Sequence, residues 1–382
     1  MSLGQVRQLF DIPDDVAYLN CAYMGPLPNA SLEAGRAGLA RKATPWTLTV
    51  EDFFVPLQEY RELVAGLLGG DADGVAISPS VSYGMATAAA NVTVVPGQQI
   101  VVLAEQFPSN VYVWRVLAER TGGQVCTVAR PADGDWTAAL VSHLDDHGDE
   151  VAVVALPPCH WTDGSVIDLV AVGEACRSSG AALVVDVCQA LGAMPFDISA
   201  VQPDFVAGAC YKWLLGPYSL GFLWAAPHRR DGAPVEHNWV ARAGSERFSG
   251  LVDYTEEFQP GGRRYDVGEV SNFALLPVAI ASLQLVTAWS PAAVADHARA
   301  LTSHIADGAA DLGFVAGAPA RRSAHLIGLR RPGLDTERLA VALADEQVHV
   351  SIRGDAVRVS AHAFNTADDA DRLLAALGRA VR

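Results

Sequence analysis

Between residues 70 and 225 the chain repeats one pattern, a short and almost uninterrupted apolar run followed by a stretch long enough for a helix. The seven runs are GVAIS, QQIVVLA, GQVCTVA, EVAVVAL, AALVVDV, DFVAGA and LGFLWAA. A strand that alternates polar and apolar residues can leave one face in water, whereas a run that is apolar at every position must be covered on both faces. Such runs, separated by helical segments, predict an α/β fold with a mainly parallel sheet flanked by helices. Ligands in open sheets of this kind bind at the carboxyl ends of the strands, so the polar residues just after each run are the first candidates for chemistry.

After this core, residues 226–268 are rich in Gly, Arg and acids (HRRDGAPVEHNWVARAGSERF, QPGGRRYDVGE) and read as long loops, which in a compact protein are often functional. A helical run, NFALLPVAIASLQLVTAW, follows and is placed to link two domains. SAHLIGLR, TERLAVALADE, VHVSIRG, AVRVSAH and TADDADRLLAALGRAV then give the β-α-β-β-α order of a small α/β domain. A length of 382 residues suits two or three such units.

The formal charge of -16 argues against nucleic acid or an anionic membrane as a partner, so any basic site has to be local. No apolar run reaches the roughly 20 residues of a membrane helix, and MSLGQVRQLFDIPDD has no secretory pattern, so a cytoplasmic protein is expected. The six cysteines stand singly, without a Cys-x-x-Cys pair or a His at zinc spacing, so neither a disulfide framework nor a metal site is expected.

Of the 27 basic side chains only two are lysines, Lys42 and Lys212. Lysine can lose its proton and attack a carbonyl to form an imine, which arginine cannot do. Lys42 lies beside Arg41 in a helical stretch and reads as a solvated charge. Lys212, in YKWLLGP after the strand DFVAGAC, is either a snorkelling lysine or such a nucleophile. AALVVDVCQALGA runs a buried strand into Asp186, with Gln189 three residues on. That carboxylate either caps a helix or holds a heteroaromatic nitrogen protonated. AISPSVSYGMATAAAN reads as a strand, a turn and a helix start, where free N–H groups and Ser82 suit a phosphate, although Ser is also a common N-cap. Phe107, in EQFPSNVYVW, could stack on an aromatic ligand or fill core.

Together these blocks resemble the class V aminotransferase group of fold-type I pyridoxal 5'-phosphate (PLP) enzymes, which includes cysteine desulfurases, isopenicillin-N-epimerase-like proteins and kynureninases. VVDVCQALGAMPFDI followed by PDFVAGACYKWLLGP carries the most specific part of the likeness. The resemblance implies PLP as cofactor, an amino acid as substrate, and a homodimer with the active site at the subunit interface. It implies a division into an N-terminal segment at 1–25 near the active site, a large PLP-binding domain at 26–270, and a linking helix with a small domain at 271–382. Lys212 would form the Schiff base, Asp186 would pair with the pyridine nitrogen, and Gln189 would contact the ring hydroxyl. Phe107 would stack on the ring, Val81 and Ser82 would bind the phosphate, and Tyr211, Trp239 and Asn272 would complete the cofactor site. Arg358 or Arg353 would grip the substrate carboxylate, with Tyr23, His160 and Trp161 also at the substrate.

Departures from the relatives narrow the reaction. No cysteine follows Cys210, so the nucleophile of persulfide-forming desulfurases has no counterpart. Gln189 and Asn110 replace the usual His and Asp of kynureninases, Ala209 stands where desulfurases have Ser, and Glu269 interrupts the usual Gly-Thr. The expected activity is a class V aminotransferase. A kynureninase-like hydrolase, another PLP β-lyase or an epimerase is the alternative, and a non-catalytic PLP-fold binding protein is the alternative of another class.

Overall fold

The computed structural model describes residues 3–381, so residues 1, 2 and 382 of the expected terminal segments lie outside the described residues. Its strands, in chain order, are Ala17–Tyr18 (β1), Val75–Ser78 (β2), Gln99–Leu103 (β3), Gln124–Val128 (β4), Val151–Leu156 (β5), Ala182–Asp186 (β6), Phe205–Ala209 (β7), Gly221–Ala225 (β8), Leu326–Arg330 (β9), Val348–His349 (β10), Ser351–Arg353 (β11) and Ala356–Ser360 (β12). Seven of them form one sheet in the order β2-β8-β7-β6-β5-β3-β4. Only β8 runs antiparallel to its neighbours, and each of the seven apolar runs is a strand of this sheet.

Alternate residues of each strand enter different cores, as the pleat requires. Ile77, Val101, Leu103, Val154, Leu156, Val185 and Val206 pack with the helices Glu51–Leu68, Trp136–His147, Leu169–Ser179 and Leu275–Trp289. Ala76, Ile100, Val153, Ala155, Ala182 and Ala207 face the other way, onto the helices Val81–Ala90 and Tyr112–Thr121. The second face is rich in alanine, and Gly84 of Val81–Ala90 comes so near that an added Cβ would lie 2.9 Å from that of Ala207. The helix that starts at the candidate phosphate turn is therefore held close against β7, the strand that delivers Lys212.

A third core lies around the antiparallel sheet β11-β12-β9. The helix Pro291–Ala310 packs there, and the sequence reading passes over it. VHVSIRG is not one strand: β10 pairs with β1 from the N-terminal segment, and β11 pairs with β12. Among the described residues no single helix is long and apolar enough to cross a membrane.

Asp163 joins the small sheet to the large one. It accepts hydrogen bonds from Arg130 (2.7 Å) and from Arg330 on β9 (3.1 Å), and also from the Ser165 N–H and hydroxyl. Burial raises its pKa, but the Ser165 hydroxyl and the Arg130 charge outweigh that and hold it below the ordinary carboxylate value. A carboxyl depressed in the folded state adds stability above its unfolded pKa and loses it as the pH falls through the folded one. Asp163→Asn is therefore expected to lower the unfolding free energy at pH 7 by about 1–3 kcal/mol. In urea unfolding the gap to the native protein should close as the pH drops below about 4; a gap independent of pH would show that the bridge acts through shape alone.

Candidate active site

β2 and β7 are both antiparallel to β8, so the carboxyl ends of β2, β3, β5, β6 and β7 lie on one edge of the sheet. A cavity of about 250 Å³ opens there, and Lys212, Asp186, Gln189, Phe107, Tyr211, His160, Trp161, Val81 and Ser82 all line it. Segments more than 120 residues apart in the chain thus converge on one site.

Lys212 sits three residues beyond β7 in a tightly held loop. The Tyr211 carbonyl accepts the Gly25 N–H (2.8 Å) and the Lys212 carbonyl accepts the Cys21 thiol (3.6 Å). A Cβ on Gly25 would lie 2.1 Å from the Lys212 oxygen, and one on Gly192, whose φ is +102°, would lie 2.5 Å from the Trp213 oxygen. Only glycine lets these backbones approach so closely. Lys212 is 6% exposed, and its Nζ lies 5.3 Å from the ring centre of Tyr211 and 5.4 Å from that of Phe107. A snorkelling lysine would extend into bulk water, whereas this amine faces aromatic rings across an enclosed cavity.

Asp186 ends β6, is buried, and accepts the Cys188 N–H (3.0 Å). Burial raises its pKa, opposed by that hydrogen bond and by the Lys212 charge. Its carboxyl is short of cationic and donor partners, which is the condition of a group awaiting one. The neighbouring Cys188 also lines the cavity, and burial together with Asp186 pushes its thiol strongly up, so it is not a thiolate nucleophile.

Across the cavity, Ser80 caps the helix Val81–Ala90 by accepting the Tyr83 N–H (3.2 Å). The N–H groups of Val81 and Ser82, in its first turn, have no acceptor within the helix. Asn110 completes this corner. Its Oδ1 accepts the Trp114 indole N–H (2.8 Å), which turns Nδ2 away, fully buried and without a partner among the described residues. In the sequence Asn110 stands out only as a departure from relatives, in FPSN after Phe107. An orphaned amide, helix N–H groups, a partner-poor carboxylate and an amine lining one cavity are the kinds of group that suit the phosphate, ring nitrogen and aldehyde of PLP.

The other expected residues divide. His160 lines the cavity, but its ring is committed. Nε2 faces the Ala104 carbonyl (3.1 Å), Nδ1 faces the Thr162 hydroxyl (2.7 Å), and the ring stacks on Trp136. Burial and then the Arg130 charge lower its pKa, so it forms a neutral wall. Trp161 lies edge-on to Phe107 and donates to the Glu105 carbonyl (2.6 Å). Behind it sits Arg358, 2% exposed, donating to the Trp161 carbonyl (3.1 Å) and leaving its Nε without a partner. Burial and then the charge of Arg353 lower the Arg358 pKa to about 10. Arg353 is half-buried against the same indole. Tyr23 is exposed and stands outside the cavity.

Within one chain Trp239 and Asn272 do not line this cavity. They line a separate depression of about 480 Å³ with Lys42 and Glu269. The Asn272 side chain accepts the Ala274 and Leu275 N–H groups, and Trp239 lies edge-on to Phe54 and Phe248. These contacts hold Asn272 at the start of the helix Leu275–Trp289 and Trp239 against the helix Glu51–Leu68.

The family model for aminotransferase class-V matches residues 49–373. The chain is 26% identical to isopenicillin N epimerase of Streptomyces clavuligerus, over 97% of this chain and 96% of that one. It is 29% identical to kynureninase of Deinococcus radiodurans, over 70% of this chain and 64% of that one. Among solved structures, a mutant of C-DES with glycine covalently linked to its PLP cofactor superposes with a TM-score of 0.87 at 20% identity, covering 97% of this chain and 98% of that chain.

The raised pKa of Asp186 sets function against stability. A carboxyl whose folded pKa lies above its unfolded one loses stability as the pH rises through that interval, so at pH 7 the ionised group is a net cost. In cofactor-free protein, Asp186→Asn should raise the unfolding free energy at pH 7 by roughly 1–2 kcal/mol while cutting turnover of the loaded enzyme about 100-fold or more. Thermal unfolding and steady-state rates check the two halves, and a variant less stable than the native protein would refute the first.

Proposed function

The chain belongs to the aminotransferase class V family of PLP-dependent enzymes, and we propose that it transfers the amino group of an amino-acid substrate, using Lys212 to hold the cofactor. The observation that carries this reading is the pairing of a buried amine and a buried, partner-poor carboxylate on one cavity at the strand ends. PLP, when bound, supplies an aldehyde that condenses with amines and a ring that draws electrons from the substrate Cα.

The chain's own groups supply the rest. Asp186, ionised, accepts the hydrogen bond of a protonated ring nitrogen, and that cation offsets the cost of its buried charge. Lys212 would hold the cofactor and, with its amine free, take the proton from the substrate Cα and hand it on as general base. Val81, Ser82 and Asn110 bind the phosphate, and Phe107 covers a ring face. Arg358 receives the substrate carboxylate, since among the described residues its forked guanidinium has no carboxylate of its own. Trp239 and Asn272 reach the site from a second copy of the chain. In keeping with this, Val252 and Tyr254, in the loop that carries Trp239, and Trp46, near Lys42, are large apolar side chains left exposed. Six unpaired cysteines suit a reducing cytoplasm.

Kynureninase-like hydrolysis is the second reading. Phe107 and Tyr211, in segments similar to those of kynureninases, flank the same amine.

Borohydride treatment of the holoenzyme should fix the cofactor on Lys212 and leave Lys42 unlabelled, and label on Lys42 would sink the assignment. Single-turnover tests with a panel of amino acids should convert the cofactor to its pyridoxamine form with release of a 2-oxo acid. Alanine released from kynurenine would instead favour the hydrolase. Arg358→Gln should raise KM for the amino acid roughly tenfold to a hundredfold, with a smaller change in kcat.

A further inference from the structure

Resting on the PLP reading above, we propose that Trp213 is a positioning residue that fixes which end of the Gln189 amide meets the cofactor. Trp213 follows the lysine directly and is 1% exposed. Its indole N–H donates to Gln189 Oε1 (2.9 Å), and Gln189 Nε2 donates to the Ala22 carbonyl (3.1 Å). An indole N–H can only donate and a backbone carbonyl can only accept, so these partners leave the amide one orientation. Turning it over would set N–H against N–H and oxygen against oxygen. With Oε1 engaged by the indole and one Nε2 hydrogen by Ala22, the amide keeps a second N–H for the cavity that Gln189 lines. A ring oxygen on the cofactor therefore meets a donor, and an amide, unlike an imidazole, keeps that donor at any pH in which the fold survives.

The indole is itself clamped. The His325 ring stands edge-on to it at 4.3 Å, and the His362 ring lies nearly parallel at 6.0 Å. His325 donates to the Gln189 backbone carbonyl (2.6 Å), and His362 donates to the Trp213 carbonyl (3.1 Å). Both histidines come from the C-terminal part of the chain and Ala22 from the N-terminal segment, so the indole and amide pair is held from both ends of the chain.

The test is a double-mutant cycle on PLP affinity, read by titrating cofactor-free protein with PLP and following the bound cofactor's visible absorbance. Trp213→Phe keeps a ring between the histidines and removes the N–H together with part of the indole's bulk, a packing loss that the Gln189→Ala background carries equally. It is expected to weaken PLP about threefold to tenfold in the native background and to have no further effect in a Gln189→Ala background, because its action passes through that amide. Equal losses in both backgrounds, or no loss in the native one, overturn the proposal while leaving the PLP reading intact. Native protein that takes up no PLP overturns both. Should Trp213→Phe fail to fold, a crystal structure of the native holoenzyme decides. The proposal requires the indole N–H on Gln189 and the amide nitrogen at the ring oxygen; the amide oxygen there, or an indole turned to another acceptor, refutes it.

Discussion

The buried carboxylate of Asp186 is the constraint around which the site is arranged. An ionised acid inside a sheet is expensive unless something positive answers it, and here the surroundings answer only in part. One backbone N–H and the charge of Lys212 pull its pKa down, and burial pushes it up further. A site of this kind is unfinished without a cationic guest. The sheet makes this possible because its strands are apolar on both faces, leaving the carboxyl-end edge as the place where polar groups escape the core. Asp186 lies level with Ala207 on the neighbouring strand, and from there the chain reaches Lys212 in five residues. Parallel register thus puts acid and amine on one cavity wall.

The strands were legible because their cause is local: an apolar run needs two covered faces wherever it lies in the chain. Lys212 and Asp186 were legible for a related reason, since strand ends and costly charges can both be read in order along a sequence. Asn110 was not, because its value lies in one unsatisfied N–H that arises only when Trp114 takes the oxygen. Trp213 carries no signal of its own in the sequence, and only its contact with Gln189, 24 residues away, makes its N–H matter. VHVSIRG read as one strand because pattern reports burial and not partners, and a change of partner at residue 350 leaves no trace in hydropathy. The helix Pro291–Ala310 escaped because its many alanines blur the apolar stripe, although Ser290 and Pro291 mark its start.

The N-terminal segment is the least expected part of the architecture to matter so much. β1 pairs with β10, Asn20 bridges to Ser360, and Ala22 donates to the Ser360 hydroxyl (3.0 Å), all on the C-terminal side. Within the next three residues the same segment touches Gln189 through Ala22 and Tyr211 through Gly25. A displacement of the small sheet would pull on this strap and so on the lysine loop. Asp163, bridged to both Arg130 and Arg330, limits the same displacement from the other side.

Charge explains why these fine contacts are needed. A protein of net charge -16 repels, over long range, an anionic cofactor and an amino-acid carboxylate alike. Recognition has to be short-ranged, made of dipoles and shielded cations that act within the cavity and count for little outside it. The helix start at Val81, the orphan amide of Asn110 and the unpaired guanidinium of Arg358 are such groups, each buried or backed by low-dielectric core, where a hydrogen bond to an anion is worth most. Arginines elsewhere, such as Arg61 with Asp266, have spent their charge on structure. Arg358 has not: among the described residues it meets a backbone carbonyl and no carboxylate, so of these two buried arginines it alone keeps its charge unspent.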